Sequence, residues 1–342
     1  MEFLNEYGLF LAKAVTGLIA VWILLSMILS ASRKSDDGSN LKIKHVNADY
    51  EALRLSMQEN ILDKKALKKV KKAHKEDKKN DKKKADSSEE KKRVFVLNFV
   101  GNIKASAAKH LREEITALLS VATDRDEVLV RLENAGGLVH EHGFAASQLE
   151  RIRQRNIPLT VAVDKVAASG GYMMACVADK IIAAPFAILG SIGVLAQLPN
   201  FNKVLEKYGV EFEQLKAGEH KRTLTMFGKN TDEDRERFVE QLEDTHQLFK
   251  DFVQEHRPVV DIAAVATGEH WYGVRALDLK LVDELITSDD YLLRASEEAD
   301  LYSLSHTTPK TINEKIMGSA QLAFEKVLSI WWEKNLLEGK RK

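Results

Sequence analysis

Cysteine is nearly missing from this chain: Cys176 is the only one in 342 residues, so no disulfide can form within the molecule. Its place in an apolar run predicts a buried thiol. His, Cys and carboxylate residues nowhere fall at metal-ligand spacing, and neither a metal nor a cofactor is expected. Net charge is absent too, because 51 basic and 51 acidic residues cancel. The cancellation is not local. Between Lys64 and Arg93 stand 14 Lys and one Arg against six acidic residues, which leaves the remainder acidic. No aromatic residue interleaves those lysines, so nothing there stacks bases. The tract reads as a solvated tether rather than a nucleic-acid site.

Long apolar runs are scarce as well, with one exception. Ala14 to Ala31 carries no charge over 18 residues, and Lys13 can snorkel to an interface. The acidic start Met1-Glu-Phe-Leu-Asn-Glu has no basic n-region, and no Ala-x-Ala site precedes the charged stretch. These absences argue against a cleaved signal peptide and for a retained single-pass anchor in contact with membrane lipid. The expected organisation is an anchor over 1–34, a Lys-rich helical or disordered linker over 35–93, an enzymatic domain over 94–300 and an amphipathic helical tail over 301–342. In the tail, Ile312, Ile316, Ala320, Ala323, Val327 and Trp331 share one helical face. That face suits packing between subunits or lying on a bilayer.

From Val94 the pattern alternates. Strands are expected at 94–99, 128–132, 159–163, 181–184 and 210–215, with helices at 106–121, 139–155 and 231–256. Strand and helix in alternation predict an α/β fold with a mainly parallel sheet.

Chemistry concentrates at Asp164-Lys-Val-Ala-Ala-Ser-Gly-Gly-Tyr172, where a buried strand stops and a short helix begins. Ser169 there has the position of a nucleophile on a turn, with free N–H groups beside it. Ala-Ser-Gly-Gly is equally an ordinary tight turn with a helix cap. After the strand at Glu127 to Glu133, Asn134-Ala-Gly-Gly137 can turn further N–H groups toward a ligand. Lys221, in Lys216-Ala-Gly-Glu-His-Lys221, is a candidate base, although most loop lysines are merely solvated. A lysine serves as a base at neutral pH only where burial penalises its charged form. His140, His142, His220 and His270 are rival bases, and Asp164 reads as a strand-end hydrogen-bonding residue.

Five segments in order resemble the signal peptide peptidase A family of serine–lysine peptidases. They are the Asn-Ala-Gly-Gly turn, Val-Ala-Ala-Ser-Gly-Gly-Tyr, Gly190-Ser-Ile-Gly-Val194, Gly-Glu-His-Lys221, and Ala266-Thr-Gly-Glu-His-Trp-Tyr-Gly273 running on to Leu281-Val-Asp-Glu284. The resemblance spans about Val94 to Leu285 and implies a crotonase/Clp-protease-like spiral of ββα units, often completed by homo-oligomerisation. It implies Ser169 as nucleophile, Lys221 as general base, Gly137 and Gly170 as oxyanion donors, and Ser191 as the hydroxyl that holds the lysine. The expected substrates are peptides or unfolded proteins, such as signal-peptide remnants and misfolded envelope proteins. Two positions depart from the pattern. Asn134-Ala135 stands where the family usually has Ser-Pro, and Lys280 where it has glycine. The resemblance also implies the outer, periplasmic side of a bacterial inner membrane, whereas Arg33, Lys34, Lys42 and Lys44 favour a cytoplasmic C-terminal side. We take the periplasmic side as the expectation. A crotonase-type acyl-CoA enzyme and a non-catalytic membrane scaffold are the alternatives.

Overall fold

In the computed structural model, the described residues are 13, 15–17, 41–73, 91–218, 221 and 224–306. The anchor expected at 14–31 and the tail stripe at 312–331 lie almost wholly outside them. Among the described residues, no helix is long and apolar enough to cross a membrane.

Apolar runs bounded by polar turns make the central strands. β1 (Leu41–His45) is followed by α1 (Val46–Ile61), and β2 (Arg93–Gly101) by α2 (Ala108–Leu119). β3 (Glu127–Asn134), α3 (Val139–Arg153) and β4 (Leu159–Val163) continue the alternation, and the short β5 (Val166–Ala168) leads into α4 (Gly170–Ala175). β6 (Lys180–Ala183), β7 (Ile188–Gly190), α5 (Asn202–Lys207) and the long α6 (Asp232–His256) come next. The chain then forms α7 (Ile262–Val265), β8 (His270–Tyr272), α8 (Gly273–Asp278), β9 (Glu284–Leu285), α9 (Ser288–Glu298) and β10 (Asp300–His306).

The strands run in the order β1-β10-β2-β3-β4-β6-β9, and every neighbouring pair after β1-β10 is parallel. At β3 the sheet forks. Val128 to Arg131 pair with β4, whereas Asn134 at the strand end pairs with Ala167 of β5, which passes the sheet on to β7 and β8. The fork brings the two glycine turns together.

Both faces of the parallel sheet are largely covered, so its central strands are mostly apolar, and β4 is buried along its whole length. Alternation decides which side each residue meets. Leu97, Phe99, Val130 and Leu132 join the large core under α2, α3 and α4, while Val94, Val96, Leu129 and Leu301 pack on the opposite side with Leu292 of α9 and Val46 and Tyr50 of α1. The sheet thus draws in residues on both sides of 94–300. Asn47 ties α1 down: its Nδ2 donates to the Ser296 and Ala299 carbonyls at 3.1 and 2.9 Å, and its Oδ1 accepts from Leu301 N–H at 2.7 Å.

Most expected elements form within a few residues of the sequence reading, and α6 starts on a capping box from Thr231 and Asp234. The segment 210–215 does not form a strand. No neighbouring strand offers it a ladder, and its side chains are exposed.

Two buried polar features are open to test. Arg257, almost fully buried, donates to Asp283 through both terminal nitrogens at 3.0 Å and to the Lys280 carbonyl at 2.7 Å. Asp283→Ala leaves that guanidinium with only the Lys280 carbonyl and, because the carboxylate it loses is partly exposed, is expected to cost about 1.5–3 kcal/mol in urea unfolding. Cys176 is fully buried, and burial pushes its thiol well above the ordinary range. It should resist alkylation in the folded protein at neutral pH and react only after denaturation, as intact mass would report.

Candidate active site

Ser169 ends β5 and begins α4, half-buried, with φ 52° and ψ −121°. A non-glycine residue in that region is strained and persists only where its surroundings hold it. They do so from both sides. Its N–H donates to the Gly190 carbonyl at 2.8 Å, and its carbonyl accepts from Met173 N–H at 3.0 Å in the first turn of α4. The hydroxyl itself has no hydrogen-bond partner among the described residues.

Gly170 and Gly171 are dictated by closeness. A Cβ on Gly170 would lie 2.4 Å from the His142 ring, and one on Gly171 only 2.2 Å from the Asn134 carbonyl oxygen. α4 is therefore pressed onto the turn that ends β3. In that turn Asn134 Oδ1 accepts from Gly136 N–H at 2.5 Å, an Asx turn. Gly136 has φ 94°, and a Cβ there would stand 2.7 Å from Ser169 Cβ. The Gly137 Cα packs on the backbone of Ile103, whose carbonyl accepts from Leu138 N–H at 2.9 Å. Neither Gly137 N–H nor Gly170 N–H has an acceptor among the described residues.

Ser191 follows the strand residue that binds the elbow, because Gly190 pairs with Ala168. Its φ is 51°, its N–H donates to the Glu269 carbonyl at 2.7 Å, and its Oγ reaches the Gly268 carbonyl at 3.4 Å. Ser169, Ser191 and the two glycine turns thus gather at the sheet fork. Lys221 is exposed, its N–H donates to the Gly218 carbonyl at 3.2 Å, and its ammonium makes no ion pair among the described residues.

Of the rival bases, His142 is the one whose contacts the structure defines. It is fully buried with Nδ1 2.9 Å from the Leu138 carbonyl and Nε2 3.1 Å from Asn134 Oδ1, so both nitrogens face groups other than Ser169. His140 and His270 are exposed, and His220 lies outside the described residues. Tyr172 is fully buried, donates to the Leu281 carbonyl at 3.0 Å, and has its hydroxyl pKa pushed up by burial, which keeps it protonated. Asp164 accepts from the Ser288 N–H and hydroxyl, capping work at a strand end. The sequence reading missed Gly136, Ile103 and the Asn134–His142 contact. Only the first had a visible signal, an Asn two residues before a glycine.

The model of the N-terminal part of peptidase family S49 matches residues 2–149, and that of peptidase family S49 matches 151–302. The chain is 46% identical over 331 residues to "Probable protease SohB" of Haemophilus influenzae, covering 94% of both proteins. It is also 46% identical over 339 residues to the protein of the same name from Buchnera aphidicola subsp. Acyrthosiphon pisum, covering 98% of this chain and all of the other. Among solved structures, a membrane-bound stomatin-specific protease in complex with a substrate peptide superposes with a TM-score of 0.42 at 14% identity, over 67% of this chain and 98% of the other.

Proposed function

The chain belongs to peptidase family S49 and is a SohB-like protease; we propose that it is a membrane-anchored serine endopeptidase with Ser169 as nucleophile and Lys221 as general base. The observation that carries this reading is the strained Ser169 elbow with two unpartnered N–H groups beside it, from Gly137 and Gly170. Lys221 takes the hydroxyl proton as Oγ attacks a peptide carbonyl, and the two N–H groups hold the tetrahedral oxyanion. The lysine ammonium then protonates the leaving amine, and water hydrolyses the acyl-enzyme. Ser191 Oγ positions the lysine.

Lys221 needs covering before it can act as a base. The extended stretch at 210–215 exposes Val210, Phe212 and Leu215, an apolar surface of the kind that a partner covers. A peptide substrate added as a strand, or a second copy of the chain, would order this stretch and bring the lysine over Ser169. The sheet fork supports a crotonase/Clp-type spiral of ββα units. Membership in a peptidase family weighs against the acyl-CoA alternative. With the apolar run at 14–31 as a bilayer anchor, the enzyme acts at the outer face of a bacterial inner membrane.

The substrates are unfolded or membrane-derived peptides, because folded proteins hide the backbone groups that strand addition requires. Detergent-solubilised full-length enzyme should cleave an apolar signal peptide and an unfolded protein but spare the same protein when folded. Equal cleavage of the folded form would reject this substrate class. So would intact unfolded substrates with enzyme that a serine-directed probe shows to be active.

A further inference from the structure

The loop that carries the Gly137 N–H must be held still to within a fraction of an ångström for the donor to meet an oxyanion. Ala135 imposes no φ restraint of its own, so the hold on this loop has to come from side chains packed against it. Asn134 Oδ1 takes the Gly136 N–H at 2.5 Å. An N–H can only donate, which identifies that amide atom as the oxygen. The same oxygen lies 3.1 Å from His142 Nε2, so Nε2 must carry a proton to complete the contact. The other end of the amide adds no anchorage: Asn134 Nδ2 is buried without a hydrogen-bond partner among the described residues.

His142 is itself firmly placed. It is fully buried, and its ring lies against Gly170 so closely that a Cβ there would come within 2.4 Å. A neutral imidazole has one N–H, so with Nε2 donating to Asn134 the 2.9 Å approach of Nδ1 to the Leu138 carbonyl is a packing contact and not a second hydrogen bond. One imidazole thus touches Gly170, the source of one free N–H, and through Asn134 and Gly136 braces the loop that supplies the other. We propose that His142 is a positioning residue for the oxyanion site, acting through Asn134 on the loop that carries Gly136 and Gly137. The proposal rests on the reading of Ser169 as nucleophile and adds to it the group that sets its donors.

The test compares full-length wild type with His142→Leu, His142→Gln, Asn134→Ala and the double variant His142→Leu/Asn134→Ala. The readouts are kcat and KM on an apolar peptide, the labelling rate with a fluorophosphonate serine probe, and thermal melting. Loss of one well-aimed oxyanion donor lowers kcat by about 10²–10³-fold. A donor that is present but loosely held should cost less, roughly tenfold. We expect His142→Leu and Asn134→Ala each to lower kcat and labelling by about tenfold with KM within about twofold, and the double variant to lose no more than either single one. His142→Gln keeps an N–H donor on the same helix face and should stay within about threefold of wild type.

An unchanged kcat in His142→Leu would overturn the proposal. So would a loss confined to KM, multiplicative losses in the double variant, or a folded His142→Gln as impaired as His142→Leu. If His142→Leu fails to fold, His142→Gln and Asn134→Ala still decide the matter by the same criteria. A wild type that takes no probe, or a Ser169→Ala variant labelled as fast as wild type, would instead defeat the nucleophile assignment, and no His142 variant is needed to see it.

Discussion

Ser169→Ala is expected to lower peptide hydrolysis by roughly 10⁴–10⁶-fold, Lys221→Ala by a similar factor, and the double variant by no more than either alone. Residues that act as one catalytic unit do not lose activity additively, because removing the nucleophile leaves the base nothing to do. What singles out Ser169 is its elbow, with φ 52° and the Gly170 N–H without an acceptor among the described residues; Ser191, which follows β7 with φ 51°, instead turns its N–H and Oγ toward the Glu269 and Gly268 carbonyls. The lysine is the sharper half of the test, since it stands exposed in the single chain. Activity retained in Lys221→Ala would mean that another group takes the proton. His142, with both ring nitrogens facing other groups, is poorly placed to be that group.

Gly136→Ala should be nearly as damaging to turnover, by at least about 10²-fold, though it removes no reacting atom. The residue has φ 94°, which disfavours any side chain, and the added methyl carbon would lie 2.7 Å from Ser169 Cβ. Relief requires the loop or the elbow to move, and either motion takes an N–H donor away from the oxyanion. Gly143→Ala is the control. It sits in α3 with nothing within 4 Å of the added carbon and should stabilise the fold by about 0.5–1 kcal/mol at unchanged activity. Steady-state kinetics and urea unfolding on the two variants separate a geometric effect on the site from a general effect of glycine replacement.

Four of the parallel strands, β2, β3, β4 and β6, were legible because each centres on a short apolar run, whereas the short β5, β7 and β9 and the mixed β10 were not read from the sequence. Leu159–Val163 is buried along its whole length, and its bounds agree with the sequence reading. α6 was legible for the same local reason, an acidic first turn after a threonine cap. Pairing across long separations was not legible. Nothing in Leu41–His45 points to Asp300–His306, yet the two are neighbours in the sheet. The segment at 210–215 shows the converse, strand-like composition with no edge to join. At the site, the serine elbow and the two glycine turns could be read from residue type and order. The contacts among Asn134, Gly136 and His142 could not, because they depend on α3 folding back over the turn and on a ring fitting against Gly170.

The central claim is that one particular hydroxyl is the nucleophile, and site mapping of a covalent adduct tests it most directly. Full-length enzyme is labelled with a fluorophosphonate, digested with trypsin and sequenced by tandem mass spectrometry. The tryptic fragment 166–180 contains Ser169 as its one serine. The account predicts a single adduct on that residue, formed in wild type and lost in both Ser169→Ala and Lys221→Ala. An adduct on any other serine, or full hydrolytic activity in enzyme already labelled to completion at Ser169, would contradict it.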